Sequence, residues 1–381
     1  MFAWELPPSS TGGRSSHVDG LAHALADGGH DVVVIAPRAP STEAFTNARN
    51  VRVLRVNIDL PWLPDRAIAR VASANHAFVA ATTQLGDWSA DVVHAHDWEV
   101  AWAAQVASVQ HSAPLVTTFH GTERSRHGGH IPPGVPTDVN GIEWWLASAS
   151  RRVIAISRLL GRQVTTDFEL DPSTVRSVPG GIDPSWWAAP DPQLDESPNE
   201  NLVFAWGRVQ YEKGFHLIAS ALAEMRATHP DIRCTIAGRG SYLADLQSQI
   251  DVIGVSDLID LPGYLSDHEL RAAIHRAACI VIPSLYEPFG VIALEALAGG
   301  GPLIVAETGG LAEIVAGTDA ALTFEPGNSV QLAACIRRVI DDQEFAQSLQ
   351  AHGRALVETS YSWSAIADRT VACYRDALEI R

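Results

Sequence analysis

Lysine is nearly missing from this 381-residue chain: Lys213 stands alone against 26 arginines. A sequence that has exchanged its other lysines for arginine is expected to keep an ammonium only where a guanidinium fails. A compact, strongly hydrated point charge and a flat five-donor fork are not equivalent beside a crowded phosphate. Long apolar runs are missing too. None approaches the roughly 18 residues of a membrane span, so no integral membrane segment is expected. Cysteine is sparse: Cys234, Cys279, Cys335 and Cys373 lie far apart without any C-x-x-C. That spacing reads as reduced core thiols and points to a cytoplasmic protein. Positive charge is in deficit, with a net charge of −17. Residues 1–183 carry 14 positive and 18 negative side chains, and residues 184–381 carry 13 and 26. Such a balance disfavours nucleic acid and anionic membranes as partners. The opening Met1-Phe2-Ala3-Trp4-Glu5-Leu6-Pro7-Pro8 has neither a basic region nor a long apolar one, so no secretion leader is expected.

What is present is an alternation of short β-branched runs with helical patterns, which predicts α/β architecture with parallel sheets covered by helices. Strands are expected at 31–36, 51–54, 91–96, 114–119 and 152–156, with a helix over 15–27. The pattern restarts at 201–206 and continues through 234–237, 258–261, 279–282 and 303–305. Segment 184–200, rich in Pro, Asp and Ser, reads as a linker. The expected organisation is therefore an N-terminal doubly wound domain over 1–183, a second over 201–361, and a C-terminal helix over about 362–381 returning to the first. Two such domains are expected to face a central cleft with the carboxyl ends of their strands. Only Met1 to Trp4 precede the Pro-Pro turn, so the first strand is either unusually short or begins upstream.

Lys213 lies in Gly207-Arg208-Val209-Gln210-Tyr211-Glu212-Lys213-Gly214, straight after the apolar run 202–206. A second informative segment is Pro283-Ser284-Leu285-Tyr286-Glu287-Pro288-Phe289-Gly290-Val291, running on to Glu295. It follows a strand and opens a helix, with Pro288 expected near the first helical position. The amides of Phe289, Gly290 and Val291 would then be unpaired and ready for an anion. Glu287 and Glu295 are roughly 12 Å apart at helical rise. That is too far for a hydrolase carboxylate pair, where about 5–9 Å is expected. The spacing suits the two hydroxyl-bearing ends of a nucleotide-sugar, with its diphosphate between them on the helix start, Arg208 and Lys213. No Asp-x-Asp pair exists to carry a metal-bound diphosphate.

With these motifs the chain resembles the GT-B glycosyltransferases of retaining family 4, with glycogen-synthase-like features. The matched elements are Gly12-Gly13 before helix 15–27, His94-Ala95-His96-Asp97-Trp98, Thr118-Phe119-His120, Gly207-Arg208 through Lys213-Gly214, and Glu287-Pro288-Phe289-Gly290 with Glu295. The resemblance implies that Arg208 and Lys213 hold the donor diphosphate and neutralise the leaving group. Glu287 and the amides of Phe289 and Gly290 would grip the transferred sugar, Val291 would add a helix-start amide, and Glu295 would bind the ribose. Gly12 and Gly13 would form a loop closing on the diphosphate, His120 would sit beside the sugar, and Asp97 would face the acceptor. Tyr264 is a weaker candidate for the base pocket. Arg14 departs from the small or apolar residue that usually follows the paired glycines, and Gly180-Gly181-Ile182-Asp183 lacks the usual Asn.

Thr118-Phe119-His120-Gly121-Thr122-Glu123, with His96-Asp97-Trp98, looks like the actinobacterial α-glucosyltransferases that extend α-1,4-glucans from UDP- or ADP-glucose. The expected reaction is thus metal- and cofactor-independent glucosyl transfer to a soluble glucan or oligosaccharide. A GDP-mannose enzyme is the alternative. From other classes, a sugar-nucleotide epimerase, a pyridoxal-phosphate phosphorylase and a non-enzymatic sugar-nucleotide module compete. His94 and His96 share one strand face and with Asp97 resemble a metal-binding H-x-H, but no third ligand stands at a recognised spacing. Trp144-Trp145 and Trp186-Trp187 are candidates for sugar stacking, with core packing the more ordinary role. The run Arg124 to His130 reads equally as an acceptor mouth or a solvated loop.

Overall fold

The computed structural model describes residues 1–8, 13–58, 66–194 and 197–379, and it divides into two compact units. Unit 1 is Met1–Gly181 with Trp363–Arg381, and unit 2 is Ile182–Ser362. Unit 1 is built on β1 (Phe2–Ala3), β2 (Val32–Pro37), β3 (Phe45–Ala48), β4 (Val51–Val56), β5 (Val93–His96), β6 (Leu115–Phe119), β7 (Arg152–Ala155) and β8 (Val175–Ser177). Unit 2 is built on β9 (Asn199–Trp206), β10 (Arg233–Ala237), β11 (Ile259–Gly263), β12 (Ala277–Ile282), β13 (Leu303–Ala306) and β14 (Ala321–Phe324).

The sheet of unit 1 runs β3-β4-β2-β1-β5-β6-β7-β8 and is parallel except for β3. The β3–β4 hairpin turns through Arg49 and Asn50, both at positive φ, the backbone pattern that matches strand twist in a two-residue turn. β1 is only two residues long yet lies between β2 and β5, with Phe2 in register with Ile35 and Ala95. On one face Val32, Val34 and Ala36 pack against Val18, Leu21 and Leu25 of helix Gly13–Asp27. Ile366, Cys373 and Ala377 of the C-terminal helix Trp363–Glu379 join the same core.

Unit 2 has an all-parallel sheet in the order β11-β10-β9-β12-β13-β14. Side chains of β9 alternate between two buried layers: Val203 and Ala205 enter one core, Phe204 and Trp206 the other. Continuous burial on both faces is why this strand reads as an unbroken apolar run.

The linker expected over 184–200 is corrected. Pro184–Ala188 is helical, capped by Asp183, whose carboxylate accepts from the amides of Ser185 and Trp186. Trp187 is buried in a core of unit 2. Arg271 donates to the Trp186 carbonyl and lies 4.6 Å from its ring centroid. Two large rings override the loop-forming composition, and β9 already begins at Asn199. Trp186 and Trp187 are thus packing residues.

Candidate functional site

Each sheet reverses its direction of growth once. In unit 2 the chain winds outward from β9 to β10 and β11 on one side, and from β12 to β13 and β14 on the other. The carboxyl ends of β9 and β12 flank that switch point, where open α/β sheets bind ligands. Both sequence motifs fall there.

After β9 the chain makes a short 3-10 turn, Tyr211–Lys213, closed by Gly214 in the left-handed conformation. A Cβ at Gly214 would meet the Pro283 carbonyl oxygen at 2.0 Å, so only glycine lets the Lys213 turn lie against the loop after β12. The Glu212 carbonyl accepts from Leu285 N at 2.8 Å and fixes the two loops together. Lys213 Nζ consequently reaches Glu287 Oε2 at 2.6 Å, both side chains being largely buried. Arg208 is exposed and makes no ion pair among the described residues. The two cations therefore differ: Lys213 is held by a carboxylate, while Arg208 is free to meet an anion.

The helix after β12 spans Val291–Ala298 with Gly290 as its N-cap at φ 91°. This corrects the expected start near Pro288: left-handed backbone at Gly290 delays the first helical residue to Val291. The amides of Phe289, Gly290 and Val291 nevertheless donate to no group among the described residues. Gly310 N donates to the Glu287 carbonyl and steadies the loop that carries them. Glu295, on the second turn of this helix, accepts from Trp206 Nε1 at 3.2 Å. Burial pushes its carboxyl up to about 7, against the opposing Trp206 hydrogen bond. Tyr264 follows β11 at the sheet edge, largely exposed, with Arg239 over its ring at 5.9 Å. Unit 2 thus brings Arg208, Lys213, Glu287, Phe289, Gly290, Val291 and Glu295 to its switch point, with Tyr264 directly after β11.

In unit 1 the switch point lies between β1 and β5. Gly12 lies outside the described residues; Gly13 begins helix Gly13–Asp27, and nothing stands within 4 Å of where its Cβ would be. Asp97 follows β5 at φ 62°, an uncommon conformation for aspartate. Its Oδ1 accepts from His120 N at 2.8 Å and its Oδ2 from Arg14 Nη1 at 3.3 Å. Arg14 also donates to Glu99 at 3.0 Å and to Glu5. Burial raises both Asp97 and Glu99; Arg14 opposes this in each, and Asp97 adds to the rise of Glu99. Burial works against the Arg14 charge, but Asp97, Glu99 and Glu5 outweigh it and keep the guanidinium firmly protonated. Arg14, the departure from the small or apolar residue after the paired glycines, is thus committed to carboxylates.

His120 follows β6, and burial, reinforced by Arg14, lowers its imidazole to about 3. Its Nε2 lies 3.3 Å from His96 Nδ1, and the His17 ring stands 4.6 Å away centroid to centroid. His94 turns elsewhere, with Nδ1 on Tyr374 Oη and Nε2 on Thr118 Oγ1, both at 2.7 Å. The Arg124–His130 run is largely matched by acids, Arg126 and His127 both pairing with Glu123. Trp144 is half exposed, and Trp145 packs near Trp102.

Sequence reasoning missed His17, Glu99 and Trp206. For Trp206 a signal was present, since it ends the strand directly before Gly207-Arg208 and shares the face of Phe204. For His17 there was none short of the strand order.

Two open α/β sheets, each with candidate site residues at its switch point, are the architecture of the GT-B glycosyltransferases, and the comparisons place the chain in that class. Residues 11–186 match the model of Glycosyltransferase Family 4, and residues 190–356 match that of Glycosyl transferases group 1. The chain is 34% identical to a glycogen synthase of Mycobacterium tuberculosis, over 98% of this chain and 93% of that protein. It is 28% identical to an alpha-maltose-1-phosphate synthase of Mycolicibacterium smegmatis, over 98% of each. Sucrose-phosphate synthase from Thermosynechococcus elongatus shares the fold, with a TM-score of 0.76 and 21% identity over 98% of this chain and 97% of that one. The chain belongs to the family 4, group 1 glycosyltransferases. No helix among the described residues is long and apolar enough to cross a membrane.

Proposed function

We propose that the protein transfers an α-glucosyl unit from UDP-glucose or ADP-glucose to a neutral glucan or oligosaccharide, with retention of anomeric configuration. The observation that carries this reading is the group at the unit 2 switch point: a Lys213–Glu287 pair, an uncommitted Arg208, and three undonated amides at 289–291. Departure of a nucleoside diphosphate builds charge on a phosphate oxygen, and preset cations and amides stabilise that charge as it develops. Lys213 and Arg208 supply what a divalent cation would otherwise provide, so transfer needs no metal or other cofactor. Glu287 and the Phe289 and Gly290 amides hold the sugar hydroxyls, the Val291 amide faces the phosphates, and Glu295 accepts from the ribose. Tyr264 borders the base.

In unit 1, His120 serves the sugar side and Asp97 the acceptor side, with Gly12 and Gly13 closing on the diphosphate. Front-face attack fits the lack of a recognisable carboxylate nucleophile. The C1–O bond to the diphosphate breaks, the acceptor oxygen bonds to C1 on the same face, and its proton passes to the departing phosphate oxygen. Similarity to glycogen synthase supports glucose over mannose as the transferred unit. A neutral acceptor is favoured over a sugar phosphate because Arg14 is already matched by Asp97, Glu99 and Glu5. Four free cysteines support a cytoplasmic setting.

The test is a donor panel of UDP-glucose, ADP-glucose and GDP-mannose, with and without malto-oligosaccharide, following nucleotide release and the linkage formed. Acceptor-stimulated release with an α-1,4 product supports the reading; release without acceptor points to donor conversion or hydrolysis. Lys213→Ala should lower turnover about 10²- to 10³-fold, roughly 3 kcal/mol of transition-state stabilisation. Unchanged turnover would remove Lys213 from the mechanism.

A further inference from the structure

Three imidazoles from three separate elements meet in unit 1: His17 on helix Gly13–Asp27, His96 at the end of β5, and His120 after β6. One nitrogen from each lies within 4.8 Å of the other two. His96 Nδ1 and His120 Nε2 are 3.3 Å apart. Ligand nitrogens of a tetrahedral zinc ion at about 2.0–2.1 Å stand about 3.3 Å from one another. Two of the three are already at ligand spacing, and His17 needs only a small ring movement to join them.

The polar atoms of this cluster are poorly served by the protein. His96 Nδ1 lies against His120, while its Nε2 is buried without a hydrogen-bond partner. Behind them, His94 is fixed by Tyr374 and Thr118 and lies 4.2 Å from the His96 ring, centroid to centroid. That ring contact limits the movement of His96 by packing.

We propose that His17, His96 and His120 form a binding site for one borderline-soft divalent cation, Zn²⁺ or its spectroscopic substitute Co²⁺, and that occupancy of this site blocks glycosyl transfer. An all-imidazole donor set suits zinc, cobalt, nickel or copper; magnesium and manganese prefer oxygen. The site has three protein ligands and an open fourth position. It is an inhibitory site, because the cation takes the lone pair of His120. That consequence rests on the role given to His120 above; the binding itself does not.

The test uses the full chain, freed of metal by chelation and titrated with Co²⁺ while visible absorption is followed. One equivalent should give the intense band of four-coordinate cobalt, Mg²⁺ should not displace it, and Zn²⁺ should. The 15 histidines of the chain make stoichiometry alone uninformative, so His17→Asn and His96→Asn are the deciding variants. Each should lose the band while keeping the near-ultraviolet circular dichroism of the parent. Zn²⁺ should reduce transfer more than tenfold in the parent, chelator should restore it, and His17→Asn should resist Zn²⁺ relative to its own metal-free rate. A missing band, or one that survives in both folded variants, overturns the site. A band lost in both variants, with transfer indifferent to Zn²⁺ in the parent, leaves the site standing. That result overturns the inhibition and, with it, the placement of His120.

Discussion

Trp206 and Glu295 show how a single contact sets the working range of a binding group. Glu295 is partly buried, burial raises its carboxyl to about 7, and among the described residues the hydrogen bond favouring its ionised form comes from the Trp206 indole. Ribose hydroxyls are donors, so in the role proposed for Glu295 the ionised carboxylate is the form that would accept from them. Donor KM should therefore fall as pH rises through about 7 and level off above it. Trp206→Phe removes the indole N–H, a bond to a charged group worth about 1.5–3 kcal/mol. Donor KM at pH 7.5 should rise about tenfold and its midpoint move to higher pH, with kcat little changed. Glu295→Gln should abolish the pH dependence. Equal loss of kcat and KM in Trp206→Phe, with a lowered melting temperature, would mean that the ring acts by packing alone.

At the scale of elements, function depends on loops whose backbone only certain residues permit. Gly290 has φ 91°, and a Cβ there would stand 2.5 Å from Leu311 Cδ2. Gly290→Ala should therefore strain the loop by about 1–3 kcal/mol and turn the 289–291 amides out of line. Thermal unfolding should show a midpoint lower by about 2–4 °C for each kcal/mol, and donor KM should rise at least tenfold. A variant with parental KM would detach these amides from the donor. The same distinction explains what could be read in advance. Strands buried on both faces, such as β9 and β12, announce themselves as unbroken apolar runs, and the Lys213 and Glu287 loops follow from them. β3, exposed at three of its four residues, carries no such run and was not legible; β8 and β14, at sheet edges, were missed likewise. The helix start was misplaced at Pro288 because proline is favoured there, whereas left-handed backbone at Gly290 decides it. Helix Pro184–Ala188 was hidden because Pro, Asp and Ser outweigh a lone Trp-Trp pair by composition though not by buried area. His17 and His96 are 79 positions apart, and only the adjacency of β1 and β5 brings them together.

Over the whole molecule the unusual protonation states are unevenly shared, and stability against pH should reveal it. His17, His94, His96 and His120, all in unit 1, are lowered from 6.5 chiefly by burial, His120 to about 3. Their folded values lie below the unfolded one. Their contribution is therefore complete above pH 6.5 and is lost as pH falls, because the unfolded chain then binds protons that the folded unit refuses. Each such imidazole contributes up to about 1.4 kcal/mol per pH unit, or about 3–5 °C of midpoint for a domain of this size. Glu143 of the same unit acts in the opposite direction. It is fully buried and accepts from Glu123 N through both oxygens, and burial raises it to about 8. Its contribution is complete below about 4.5 and is lost as pH rises towards about 8. Unit 1 should therefore lose stability steeply below pH 6.5 through its imidazoles, while Glu143, with Asp97 and Glu99 raised in the same direction, draws stability down as pH rises and the buried Met1 amino group, lowered to about 5, opposes them. Calorimetry from pH 5 to 9 should resolve a transition that moves down steeply below pH 6.5, beside one that moves less. Glu143→Gln keeps the side-chain volume and an acceptor for Glu123 N, so it should flatten the alkaline limb and leave the acid limb untouched. An alkaline limb unchanged in that variant would assign the loss to another group, and two transitions falling together in acid would show that the histidine cluster is not its cause.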